Sequence, residues 1–452
     1  MKSTKKIIIC AVLALCLIFT TSCSYTLGLL INNGSGAGTA GGQNDTPPQT
    51  NQQGGSNAGG TSDTQTGGGS SDSSEPKFHP DANDPAVPDT LDPATRTLLS
   101  TVAIDARLDL RTSYPYYDDY YYGDYYYESD TTTEYTSYGS GVIYSIDREA
   151  GDAYIITNFH VVYNKDEVNA NGFSDTISLY LYGMEEDQYA ISATVVGGSM
   201  TYDLAVLRVE GSEVLKNSMA TAAALGNSEE VRVLDDVLVV GNPEGYGISV
   251  TEGIISVESE PLSITGADGR TGITLRVMRT SAAINDGNSG GGLYDTDGRL
   301  VGVVCAKRMG ADVDNIGYAI PVNLAKALAD NILRNCDGKS NLSIKKCAIG
   351  IELAVASSGL VPDGKGNLVI CEEVRVDKLL ANSLVDDKIR VGDIITAITV
   401  DGVKTEVTRK YHVIDAMLAA NVGSTVTVTA TRDGTTFDTT VTIPETAVNT
   451  VK

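Results

Sequence analysis

The sequence predicts a mainly β protein with a smaller α+β region at its C-terminal end. Two observations carry that expectation. From Ser140 to Ile320 many short apolar runs are separated by Gly, Asn and Asp turns, which favours an all-β barrel or sandwich over alternating βαβ units. After Pro321 the period changes: Leu324, Ala327, Leu328 and Ile332 mark a helix over Val322 to Cys336, and short strands with one helix from about Lys410 to Ala420 follow.

Taken in order, the chain begins with Lys2, Lys5 and Lys6 before an apolar run from Ile7 to Phe19, the layout of a secretory signal. Thr20-Thr21-Ser22-Cys23 resembles the lipobox of bacterial lipoproteins, which makes Cys23 the lipidated first residue of a mature protein. The absence of charge from Ile7 to Asp45 leaves an uncleaved membrane anchor through about Ile31 as the rival reading. Either one exports the protein to the outer face of a membrane. Residues 32–74 are mostly Gly, Ser, Thr, Asn, Gln and Asp with almost no apolar residue, too polar to offset chain entropy by burial, so 32–94 is expected to be a tether. The run Leu98 to Leu110 reads as the first strand, and folded structure is expected from near residue 95.

Further strands are expected at 141–144, 153–157, 177–182, 190–196, 204–209, 233–240, 273–278 and 300–305. Between the run 98–110 and the strand at 141–144 lies Tyr114 to Tyr138, with eleven Tyr among Asp, Glu, Thr and Ser. It reads as a surface insertion between strands; a partner-binding aromatic loop or a cation site at Asp118, Asp119 and Asp124 is the sharper alternative. Cys305, Cys336, Cys347 and Cys371 remain beyond the N-terminal segment, either paired, with Cys336 and Cys347 nearest in sequence, or as buried thiols.

Charge and composition exclude other classes. Thirty-three Lys and Arg stand against 58 Asp and Glu, a net charge of −25, which argues against a nucleic-acid partner. The chain has no Trp and three His (His79, His160 and His412) and no Cys-x-x-Cys pair, so neither a metal nor another cofactor is expected.

Chemistry concentrates at Gly287-Asn288-Ser289-Gly290-Gly291. Glycines around a serine allow a tight turn, expose the hydroxyl and direct backbone N–H groups at a developing oxyanion. The string also fits the elbow of α/β-hydrolases, but that fold requires a helix after the serine and a later histidine. Here Leu293 to Leu300 reads as a hairpin and the only later histidine, His412, falls in the second region. The order that works is His160, Asp203, Ser289, that of chymotrypsin-like barrels. His160 ends an apolar strand, and Asp203 opens the buried run Leu204-Ala205-Val206-Leu207, where a carboxylate needs a partner.

With these strings in place the chain resembles the HtrA (DegP-like) serine proteases: Gly139-Ser140-Gly141-Val142-Ile143, Ile156 to Val162, Asp203 to Leu207, Gly241-Asn242-Pro243, Val250 to Ser256 and Thr280 to Leu293. The resemblance implies a chymotrypsin-like double β-barrel protease domain over 95–338 and an α+β PDZ domain over 339–452. It implies Ser289 as nucleophile, His160 as base then acid, Asp203 as its orienting carboxylate, and the N–H groups of Gly287 and Ser289 as oxyanion hole. Ile284 would line the S1 pocket, and 307–315 would be the regulatory loop. Ala348-Ile349-Gly350-Ile351 and Val391-Gly392-Asp393-Ile394 resemble PDZ strings, which implies capture of apolar C-terminal peptides by Ile349, Gly350 and Ile351. His412 is expected to be structural. Misfolded proteins as substrates and a homotrimer are further implications, with a non-catalytic, chaperone-like binding protein as the alternative. Three departures from the family pattern stand out: Ser281 replaces an acid, Gly292 replaces a proline, and Asp286 precedes the oxyanion glycine.

Overall fold

The computed structural model describes residues 91–116, 127–307, 316–364, 366–385 and 387–451. Cys23, the tether up to residue 90, His79, the acidic cluster at 118–124 and the loop 308–315 lie outside them. A short helix, α1 (Pro93–Leu99), opens the described chain, with the Asp92 side chain accepting from the Ala94 N–H. Leu98 and Leu99 are therefore helical, and the first strand starts at Thr101. The cause is local: an aspartate cap followed by proline at the first helical position starts a helix in a run whose apolar content alone reads as strand.

Six strands form the first barrel: β1 (Thr101–Tyr116), β2 (Tyr127–Asp147), β3 (Asp152–Thr157), β4 (Thr176–Leu181), β5 (Ile191–Ser199) and β6 (Leu204–Val209), closed in the order β1-β2-β3-β6-β5-β4. Alternating side chains fill it, as in β5, where Ile191, Ala193 and Val195 are buried between exposed neighbours. Within the Tyr-rich segment, residues 114–116 and 127–138 are strand rather than loop. β1 and β2 stay paired out to Tyr116 opposite Tyr127, while β4 pairs β1 only up to Arg107, so the hairpin leaves the barrel as a two-stranded ribbon. Its root is braced by the 164–169 loop, where the buried Glu167 carboxylate accepts from the Asp109 N–H at 2.8 Å and the Arg111 N–H donates to the Asp166 carbonyl at 2.7 Å.

The helical turns α2 (Phe159–Val162) and α3 (Glu213–Lys216) interrupt the first barrel's chain; β7 (Ala224–Leu225), β8 (Asp236–Gly241), β9 (Ser249–Thr265), β10 (Gly272–Thr280), β11 (Gly292–Asp295), β12 (Arg299–Lys307) and β13 (Gly317–Pro321) build a second sheet. Its order is β11-β8-β9-β10-β13-β12-β7, and an extra β11–β12 pairing closes six of those strands into a second barrel. The mainly β double barrel expected from the sequence is thus present. Val233 and Leu234 fall outside β8, because Leu234 takes a positive φ of 80° before the strand starts. Helix α4 (Val322–Asn335) lays Leu324, Leu328 and Ile332 against Ile156 and Val206 of the first barrel and Val277, Val303 and Ile320 of the second. One amphipathic face therefore joins both barrels.

Beyond α4, β14 (Ile344–Cys347) pairs the C-terminal β21 (Val448–Val451). A second sheet runs β15 (Ile351–Pro362), β16 (Leu368–Leu379), β17 (Ile394–Val400), β19 (Thr425–Arg432) and β20 (Thr435–Thr442), with β18 (Val403–Glu406) on β17. Helix α5 (Lys410–Met417), three residues shorter than expected, contributes Val413 and Met417 to that lobe's own core. All four described cysteines are free thiols. Cys336 donates to the Ser343 carbonyl and Cys347 to the Ala420 carbonyl, so neither sulfur faces the other.

Candidate active site

The site is assembled from three loops where the barrels meet. β3 runs into α2, which carries His160. A 3-10 turn, Met200–Tyr202, delivers Asp203 at the start of β6 in a left-handed conformation, φ 51° and ψ 46°. That backbone costs a non-glycine residue about 1–2 kcal/mol, and its return is geometric. Asp203 is 4% exposed, and its carboxylate accepts from the His160 backbone N–H at 3.1 Å and contacts Nδ1 through both oxygens, at 2.9 and 2.8 Å. A carboxylate only accepts, so Nδ1 carries the proton and Nε2 presents its lone pair.

His160 holds a proton above its ordinary pKa of 6.5. Burial works against the charged form, but the Asp203 carboxylate outweighs it, and Asp286 adds to the same effect. The side chain is still 38% exposed, which leaves it accessible to a substrate.

Ser289 lies on the loop between β10 and β11, and several carbonyls around it are tied back. The Asp286 carbonyl accepts from the Glu244 N–H at 2.8 Å, the Gly287 carbonyl from the Ser140 hydroxyl at 2.6 Å, and the Ser289 carbonyl from the Ser140 N–H at 2.8 Å. The N–H groups of Asn288, Gly290 and Gly291 donate to Asn285, Val304 and Asn288 carbonyls. Among the described residues, those of Gly287 and Ser289 donate to no backbone carbonyl. Gly287 has φ 92°, and a Cβ there would sit 2.2 Å from the Asn242 carbonyl oxygen, so only glycine permits this loop.

Ser140 is the residue that motif reading passed over. Fully buried, it donates its hydroxyl to Gly287, accepts from the Asn242 N–H at 2.8 Å, and receives the Thr157 hydroxyl on its carbonyl at 2.7 Å. It therefore ties the serine loop, the Gly241-Asn242-Pro243 turn and the end of β3 together. The only sequence signal was its place in Gly139-Ser140-Gly141.

Two of the departures, Ser281 and Gly292, have structural accounts. Ser281 exchanges hydrogen bonds with Ile254 in β9, its hydroxyl accepting at 3.1 Å and its N–H donating at 3.0 Å. At Gly292 a Cβ would lie 2.2 Å from the Tyr294 ring, which excludes proline; Tyr294 is fully buried and its hydroxyl contacts those of Ser100 and Thr101 at 3.0 and 3.2 Å. Ile284 is buried among Val231, Val237 and Met278. Strand β11, not a helix, follows Ser289, which removes the α/β-hydrolase alternative. Cys305 is buried behind the crevice, and that burial, with Asp203 nearby, holds its thiol well above its usual pKa and protonated.

In the C-terminal lobe, Gly350 turns the chain into β15 with φ 77°, Ile349 is buried, and Ile351 starts the edge strand β15 of the sheet. His412 takes a different place, facing the second barrel. Its Nδ1 accepts from the N–H groups of Thr408 and Arg409, so Nε2 carries the proton toward the Glu229 carboxylate at 3.0 Å. Tyr411 also reaches Glu229, at 3.2 Å, while Arg276 of β10 pairs with Asp415 and stacks 4.0 Å from the Tyr411 ring. Burial pushes the Asp415 carboxyl up to about 6 despite Arg276.

Residues 139–303 match the family described as "Trypsin-like peptidase domain". The serine protease Do-like HtrA of Bacillus subtilis (strain 168) is 39% identical over 197 residues, which cover 43% of this chain and 39% of that protein. The Do-like HtrA of Lactococcus lactis subsp. lactis (strain IL1403) is 30% identical over 311 residues, covering 66% of this chain and 68% of that one. A solved structure of the HtrA-type protease AlgW with a decapeptide aligns at 23% identity and a TM-score of 0.46, over 78% of this chain and 97% of that chain.

Proposed function

The chain belongs to the HtrA family of serine proteases, and on that premise we propose that it is an exported, membrane-tethered endopeptidase that cleaves misfolded proteins. Ser289 attacks the peptide carbonyl while His160 Nε2 takes its proton; the tetrahedral oxyanion is received by the N–H groups of Gly287 and Ser289. His160 then gives the proton to the leaving amine, and water repeats the cycle to release the acyl group. Asp203 keeps the imidazole in the Nδ1–H tautomer and stabilises the imidazolium. Ile284 closes the S1 pocket with a branched apolar side chain, favouring small or medium aliphatic residues at P1. The observation that carries this reading is the contact of His160 Nδ1 with both Asp203 oxygens, at 2.9 and 2.8 Å.

Around that chemistry, residues 95–338 form the protease domain and 339–452 a PDZ domain that adds an apolar C-terminal peptide to the β15 edge, its carboxylate on the backbone near Ile349, Gly350 and Ile351. Export proceeds through the N-terminal apolar run, with lipidated Cys23 or an uncleaved anchor holding the protein at the outer face of the membrane. Three copies would assemble as a homotrimer.

Hydrolysis of unfolded casein by wild type and Ser289→Ala tests the central claim. Wild type is expected to release peptides at least about a thousandfold faster; equal release sinks the protease reading and favours a binding protein. Intact mass of the mature N-terminus separates a lipid on Cys23 from an anchor.

A further inference from the structure

We propose that Asn158 is a positioning residue for the catalytic pair: its carboxamide holds the backbone of Asp203 in the conformation that aims the carboxylate at His160. The inference rests on the proposed protease reading for its kinetic consequences and on geometry for its origin.

Asn158 occupies the N-cap position of α2, where an asparagine side chain would ordinarily accept an N–H from the second or third helical residue. It makes no such cap bond. The second helical N–H, that of His160, goes instead to Asp203 Oδ1 at 3.1 Å. Asn158 Nδ2 donates to the Asp203 carbonyl at 2.8 Å. The two residues have exchanged tasks: Asp203 caps the helix, and Asn158 holds Asp203.

The second half of that exchange falls where the backbone needs support. Asp203 is left-handed, a conformation that persists in a non-glycine residue only when its surroundings enforce it. Its N–H is used at 3.2 Å on the Met200 carbonyl, closing the preceding turn. Its carbonyl is the other handle, and the Asn158 amide holds it. Without that bond the peptide after Asp203 relaxes, the side chain swings with it, and the carboxylate leaves Nδ1.

Asn158 is fully buried, and its Oδ1 has no partner among the described residues. An unsatisfied buried carbonyl is a cost, so packing alone gives no reason for an amide here. The NH2 group supplies the reason. An aspartate of the same shape lacks that donor, and an alanine lacks both atoms.

The test is direct because the chain contains three histidines, so the imidazole signals of the full-length protein are few. Asn158→Ala is expected to lower kcat about tenfold to a hundredfold with little change in KM, the cost of a misplaced catalytic group. The His160 titration followed by NMR is expected to move down by about one unit as the Asp203 carboxylate withdraws, and the acid limb of kcat/KM should move with it. Asn158→Leu, close in volume, uncharged and without the donor, serves where the alanine variant fails to fold, with the same expected direction. An unmoved His160 titration in the folded variants overturns the proposal, whatever happens to kcat, as does a kcat within twofold of wild type. Because the titration needs no turnover, a wild-type protein without protease activity would overturn the protease reading and leave the positioning claim to the NMR result.

Discussion

The crevice between the barrels and the junction between the second barrel and the C-terminal lobe are both polar contacts between distant segments, yet they are built differently. In the crevice, Ser140, Thr157 and Asn158 are fully buried and uncharged, and they bond backbone carbonyls and N–H groups at 2.6 to 2.8 Å. The junction uses charge: Arg276 with Asp415, His412 and Tyr411 with Glu229, and a guanidinium over an aromatic ring. Neutral hydrogen bonds are directional and fix the angle of a peptide plane. Ion pairs fall off slowly with distance and tolerate small displacements, at a desolvation cost. The proposed chemistry depends on sub-ångström placement of N–H groups and an imidazole; lobe docking depends on keeping two surfaces together.

That contrast breaks if crevice and junction substitutions affect the same observable. The largest effect is expected from Ser140→Ala, which frees the Gly287 carbonyl and leaves the Asn242 N–H unpaired. A fall in kcat of about a hundredfold should follow from a disordered oxyanion hole, with KM little changed; an unaltered kcat on casein-derived peptides would show that the hub does not shape the loop.

Next comes the pH profile. The base form of His160 is the neutral imidazole, and its pKa lies above 6.5 because Asp203 and Asp286 outweigh burial. Activity should therefore drop tenfold per unit on the acid side of an inflection above 6.5, and Asp286→Asn should lower that inflection. An inflection below 6.5 in the wild type contradicts the electrostatic account.

The smallest effect on rate, within about threefold, is expected from Arg276→Ala. It leaves the Asp415 carboxylate buried and unpaired, which should cost roughly 3 kcal/mol in a urea unfolding experiment. A large loss of kcat with unchanged stability would reverse the division drawn between the two regions.

Much of this was legible in the chain. Alternating apolar runs placed β3, β4, β6, β10 and β12 within a residue or two, because period-two burial leaves a direct mark on sequence. His160, Asp203 and Ser289 could be singled out since residue type and order constrain them even without coordinates. Local rules also failed locally. The Asp92 cap and Pro93 turned part of an apolar run into helix, and the Tyr-rich stretch, which reads as low complexity, pairs strand to strand as far as Tyr116 and Tyr127.

What the sequence by itself determined is the class of protein and the three residues of the proposed triad. The tertiary structure decided how those residues are held. Ser140 bonds Gly287 across 147 positions, Asn158 reaches Asp203 across 45, and His412 finds Glu229 across 183. No periodicity encodes such pairs. They exist because closing each barrel brings loops from remote strands to one rim, where every buried N–H and carbonyl must find a partner.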